Sequence, residues 1–205
     1  MTARIARMFE FQAGVQFADE FFMNIYAIDV QFNVETGSIR EQNIALERIK
    51  FFLNDQLEHS VLCISTEENQ ISKFIDAGLK VCTLPEEPYD QIIGIMLLSK
   101  INAITEGRLV ATDITINSRL SDEVSCLYSI EENAGPFLLK GWWKDNTPSI
   151  NDITPKASNK KIVKLNKPKT SWDDMALGWE EGIIVSKEIP NAEIVFASFD
   201  NKTDK

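Results

Sequence analysis

At 205 residues and 23.2 kDa the chain has the length of one domain, with enough residues for a sizeable core. Its 44% apolar and 25% charged residues are ordinary for a globular protein, and a formal charge of −10 argues against adhesion of the whole surface to nucleic acid or membrane. The longest apolar run, Ile92 to Leu98, falls far short of the ~20 residues a membrane helix needs. The opening MTARIARMFEF leads into acids and glutamines rather than an apolar signal core, so a cytoplasmic protein is expected. Cys63, Cys82 and Cys126 all fall in predicted strands, where they read as small buried hydrophobes in a reducing compartment.

In chain order, residues 1 to 20 carry no decisive period. Met8, Phe9, Phe11, Val15 and Phe17 admit an entry strand bent at Gly14. From Asn24 to Glu35, Tyr26, Ile28, Val30, Phe32 and Val34 alternate with polar or small residues, the period of a strand with one wet face. Ser38 and Glu41 then match a capping box, and Ala45, Leu46, Ile49, Phe52, Leu53 and Leu57 form the apolar stripe of a helix reaching about Glu58. Val61 to Ser65 predicts a short strand, Asn69 to Ala77 a two-turn helix stopped by Gly78, and Lys80 to Leu84 another strand.

Pro85 and Pro88 introduce a long helix that is apolar nearly all round, from Ile92 to Ile104, and must be buried on more than one side. Gly94 inside it points to close packing at that position, and Gly107 ends it. Val110 to Asn117 and Val124 to Ile130 alternate across a short polar turn and predict an antiparallel pair. The expected fold class is α/β, a mixed sheet with helices packed on it and an antiparallel hairpin, with α+β as the alternative.

The charge changes sign after Gly135-Pro136. Residues 140 to 169 hold eight lysines against Asp145 and Asp152, whereas residues 1 to 139 carry ten basic and twenty-one acidic side chains. Residues 1–139 are therefore expected to form the core domain and 140–170 a lysine-rich extended arm. In 171–205, a short amphipathic helix (Trp172, Met175, Ala176, Trp179) and a strand pair are expected to pack on the core.

No pattern carries an obvious chemistry. His59 is the only histidine, and there is no paired Cys/His spacing, no GxSxG and no glycine-rich phosphate loop. Asp29, Glu106 and Asp113 are candidate ligands for a carboxylate-only metal site, set against the reading that they are solvated surface acids. No cofactor is expected. Trp142, Trp143, Lys144, Lys160, Lys161 and Lys164 in the arm, with Trp172, Met175 and Trp179, are the candidate partner-binding residues. The stretches LPEEPYDQIIGIMLLSKINAITEGR and ENAGPFLLKGWW resemble uncharacterised proteins encoded by large tailed phages, over about residues 25 to 145. That resemblance implies a viral origin, in host cytoplasm or virion, and assigns no activity and no residue.

The function expected from these features is a non-enzymatic interaction, assembly or accessory protein that engages a protein partner or further copies of itself. A metal-dependent phosphoesterase or nuclease-like enzyme is the first alternative, and a nucleic-acid-binding module using the lysine arm the second.

Overall fold

The computed structural model describes residues 3–17, 19–122, 124–150 and 171–180. The first two strands, β1 (Ala3–Phe17) and β2 (Glu20–Val34), form one long antiparallel hairpin from Ala3 opposite Val34 to Phe17 opposite Glu20. At the rise of a strand each is about 50 Å long. The entry strand admitted by Phe9, Phe11 and Val15 is thus real. The alternation in β2 sorts as its period requires, with Tyr26, Ile28, Val30 and Phe32 all buried on one face.

After Thr36-Gly37 the Ser38 hydroxyl accepts from the Glu41 amide and starts helix α1 (Ile39–Phe51). The expected single helix to Glu58 changes form instead: Phe52–Leu57 is a π-helix. In that geometry residue i+5 lies over residue i, so Leu57 follows Phe52 to the same side, and both are fully buried with Leu53. Then come β3 (Ser60–Ile64), α2 (Glu68–Asp76), β4 (Lys80–Leu84), α3 (Asp90–Thr105), β5 (Leu109–Ser118) and β6 (Ser125–Ser129). They complete a six-stranded mixed sheet in the order β4-β3-β1-β2-β5-β6. The β1–β3 and β3–β4 pairs are parallel and the others antiparallel.

Helices α1 and α3 cover one face of this sheet. On the other face, α2 makes a small second core from Ile71, Cys63 and Val81, with Phe74 and Ile75 packed against it. Cys63 and Cys82 are buried, as expected, whereas Cys126, expected to be buried too, is half-buried; all three are free.

Helix α3 is the buried centre. Ile93, Met96, Leu97, Ile101 and Ile104 are inaccessible to solvent. Its outer side is closed by residues 142–150, the first part of the expected arm: Trp143 and Ile150 join the main core and Pro148 is buried. Over residues 142–150 the change in composition is therefore not a change in packing, and residues 151–170 of the expected arm lie outside the described residues. The short helix expected from Trp172 to Trp179 is a turn, because Ala176 takes a positive φ of 57° and Leu177 N donates back to Trp172 O at 2.7 Å. The final expected strand pair lies outside the described residues, as do Lys160, Lys161 and Lys164. No helix among the described residues is long and apolar enough to cross a membrane.

Gly94 is less demanding than its place in an apolar helix suggested. A Cβ there would sit 3.6 Å from Ile116 Cγ2 and 3.8 Å from Ile114 Cγ2, which is ordinary contact. Gly94→Ala is therefore expected to raise stability by about 1 kcal/mol, through helix propensity and a less free unfolded chain. Met96→Ala or Leu97→Ala is expected to cost about 2–5 kcal/mol, since each empties a fully enclosed site. Urea unfolding midpoints measure both effects.

Candidate functional site

Where residues 134–144 stand away from α3 they leave a cavity of about 380 Å³. Its floor is α3, through Leu98, Ser99, Asn102 and Ala103. One side is β6 and its exit, through Tyr128, Ile130 and Glu132; the wall facing α3 carries Phe137, Leu138 and Lys144. The spacing of the floor residues follows from the helix, since positions three and four apart share a face. Buried Phe137 backs the cavity, whereas Ile130 and Leu138 leave apolar surface at its mouth.

The polar atoms around the cavity are mostly committed. Asn102 bonds the Ala111 backbone both ways, Nδ2 donating to its O at 3.0 Å and Oδ1 accepting from its N at 2.8 Å. The Tyr128 hydroxyl donates to Glu132 O at 3.2 Å, and Glu132 Oε1 accepts from Ser129 N at 3.1 Å. Burial, and then the Glu132 charge, push the Tyr128 hydroxyl above its ordinary value, so it is a protonated donor at neutral pH. Among the described residues Lys144 Nζ donates to Leu138 O alone, at 2.9 Å, and the side chain sits at the exposed rim.

The wall opposite α3 is stiffened by tryptophan. Trp143 Nε1 donates to Phe137 O at 3.1 Å while its ring meets Phe137 edge-on at 5.1 Å between centroids. A Cβ at Gly141 would come within 2.3 Å of the Trp143 ring, so only glycine lets the ring lie there. Trp142 turns the other way and donates from Nε1 to Thr83 O at 2.9 Å, covering part of β4. Behind this wall lies Lys100, fully buried, whose ammonium donates to three backbone carbonyls of the 142–147 segment. Burial pushes its pKa down to about 8, with Asp145 acting the other way, and it stays cationic at neutral pH.

A second cluster gathers the remaining candidates. Arg48, 2% exposed, donates from Nη1 to Glu106 Oε1 at 2.8 Å and to Ile104 O at 3.0 Å, and from Nε to Leu177 O at 2.8 Å. Its guanidinium lies 3.7 Å from the Trp179 ring centroid and 4.8 Å from that of Trp172, and Arg108 sits 4.4 Å from Trp179. Arg40 donates to Trp179 O and Glu180 O. Met175 is half-buried against the same core. Of the nine residues expected to meet a partner, Trp142, Trp143, Trp172, Met175 and Trp179 are thus turned into this chain, and Lys144 reaches the pocket rim.

The three candidate metal ligands do not assemble. Asp29 faces Thr115 across β2–β5 and Asp113 faces Gln31, so the two aspartates share the face of the sheet away from α1 and α3, on neighbouring rungs. Glu106 instead caps α3 on the helix side and is held by Arg48. Among the described residues no group of three His, Cys, Asp or Glu side chains is placed to hold a metal. His59 is exposed, its Nε2 3.8 Å from Glu58 Oε1.

No family model matches the chain, and no curated protein matches it. Among solved structures it is similar to a catalytic-residue mutant of Plasmodium vivax 6-pyruvoyltetrahydropterin synthase, at 10% identity and a TM-score of 0.41, over 62% of this chain and 97% of that one. It is also similar to the Plasmodium falciparum 6-pyruvoyl tetrahydropterin synthase, at 12% identity and a TM-score of 0.39, over 62% of this chain and 96% of that one. These are structures of an enzyme, and they run against the non-enzymatic interaction or assembly protein expected from the sequence. That expectation is corrected here, and Trp142, Trp143, Trp172 and Trp179 pack against this chain's own core. The likeness transfers no substrate, metal or residue role.

Sequence reasoning missed Arg48, Lys100, Tyr128 and Glu132. For Lys100 a signal was present: it is the one charged residue in the apolar helix stretch 92–104.

Burial raises the Glu106 carboxyl, but the Arg48 hydrogen bond, Trp179 and the two guanidinium charges outweigh it and hold the group below 4.5. A carboxylate depressed on folding stabilises above its unfolded value and loses that contribution as pH falls through the folded one. Wild type is therefore expected to lose stability on the acid side of 4.5 more steeply than Glu106→Gln, measured as urea midpoints against pH.

Proposed function

We propose that the protein binds a small organic molecule in the cavity between α3, β6 and residues 134–144, and that this is where any substrate is held. The observation that carries this reading is an apolar recess of about 380 Å³ whose polar groups are few and largely pre-paired, leaving the Lys144 ammonium at its rim. Specific sites for small molecules are built this way: apolar walls provide burial, and a small number of placed polar groups fix orientation.

The walls prescribe the ligand. Leu98, Ala103, Ile130, Ala134 and Leu138 take a flat or compact apolar body, while Lys144 takes one hydrogen-bond-accepting or singly anionic end. Glu132 in the same lining, and the net charge of −10, disfavour a polyanion, which weighs against nucleic acid. Tyr128 and Ser99 supply hydroxyls within the walls.

Anilinonaphthalene sulfonate, an aromatic body with one anionic group, is the probe of choice. It is expected to bind the full chain saturably, one per protein, with a fluorescence rise. Ala103→Trp fills the floor and is expected to weaken binding about tenfold or more, because the apolar body loses its burial. Lys144→Met is expected to weaken it by a few-fold and to remove most of its salt dependence, the scale of one rim charge. Binding by Ala103→Trp as tight as by wild type would sink the reading.

A further inference from the structure

Lys100 does not line the cavity, yet the wall of the cavity depends on it. Its side chain leaves α3 into the interior and is wholly buried. An ammonium has three N–H groups, and here each has a carbonyl: Trp142 O at 3.1 Å, Asp145 O at 2.8 Å and Thr147 O at 2.8 Å. The rings of Phe52 and Trp142 flank the charge at 5.8 and 5.7 Å. With all three protons committed to backbone oxygens, Lys100 offers nothing to a reacting group. Its whole output is the position of residues 142–147.

That position is passed on to the pocket. From the clasped segment, Trp143 Nε1 reaches back to Phe137 O and Leu139 O, and Lys144 Nζ to Leu138 O. Phe137, Leu138 and Lys144 are the cavity wall facing α3. The stretch 142–147 contains no strand and only a three-residue 3-10 turn, Trp142–Lys144, so regular backbone bonding does not hold it. We infer that Lys100 is a positioning residue for the ligand pocket: its three-carbonyl clasp docks residues 142–147, and through them the Phe137–Lys144 wall, in the binding-competent position. The inference rests on the pocket reading for its consequence, but the docking itself is testable without it.

The test uses the full chain, amide hydrogen exchange and anilinonaphthalene sulfonate binding. Lys100→Ala removes the three donors and leaves space for a short amine. Protection over 137–147 is expected to fall about tenfold or more while the β1–β2 hairpin keeps its own, because three charge-assisted bonds are lost in one place. Probe affinity is expected to fall with it. Propylammonium is expected to restore both, and propanol, which cannot offer three donors, neither. A Lys100→Ala protein that keeps wild-type protection over 137–147 overturns the inference, as does one that loses protection evenly everywhere and is not restored by the amine. Should that variant fail to fold, wild type decides: saturating probe must slow exchange over 142–147, and no slowing there overturns the inference. Absence of saturable probe binding by wild type would remove the pocket reading alone, since loss and amine rescue of protection would still establish the clasp.

Discussion

The structure depends on burying a helix that has no polar side. Most amphipathic helices need one apolar surface, but α3 presents apolar side chains in every direction and must be enclosed. The sheet closes one side through Ile114 and Ile116, and α1 closes another. The rest is closed by residues 142–150, which come from beyond the sheet and carry Trp143 and Ile150 into the same core. Because that last layer is irregular backbone, its polar groups need partners, and Lys100 on the buried helix supplies them. The one lysine on α3 and this layer without regular hydrogen bonding solve each other's problem.

The two buried cations divide the work. Lys100 holds the 142–147 layer over the middle of α3, and Arg48 holds residues 171–180 over the junction of α1 and the end of α3. Both use backbone carbonyls as acceptors and tryptophan rings as neighbours. Removing such a cation strands several acceptors at once, so each should behave as a unit with its segment rather than as a separable contact. The cavity is the gap left where the 134–144 stretch runs from β6 to the segment held by Lys100.

Local pattern carried much of the fold. The period-two runs in β2, β5 and β6, the Ser38 cap and the all-round apolar α3 are statements about nearest neighbours, and they survive in the folded chain because tertiary packing agrees with them. Where packing overrode local preference the reading changed. Phe52, Leu53 and Leu57 are drawn inward together, and the helix becomes a π-helix to allow it. Trp172 and Trp179 sit at helical spacing, but both are taken by Arg48 through a turn at Ala176, not by a helix face.

The sequence by itself determined which faces must be buried, and therefore a mixed sheet with helices on it and α3 at its centre. It also showed His59 as the only histidine and no paired Cys/His spacing. Only the tertiary structure decided what becomes of the four tryptophans and of Lys144 after residue 139. Their composition fits a solvated arm, and nothing local distinguishes that from a layer of the core. The difference lies in partners far along the chain: Trp142 meets Thr83, Trp172 meets Arg48, and the carbonyls of residues 142–147 meet Lys100. Such pairings join residues roughly forty or more positions apart, and no periodicity records them. The pocket is of the same kind, a space between elements rather than a property of any one of them.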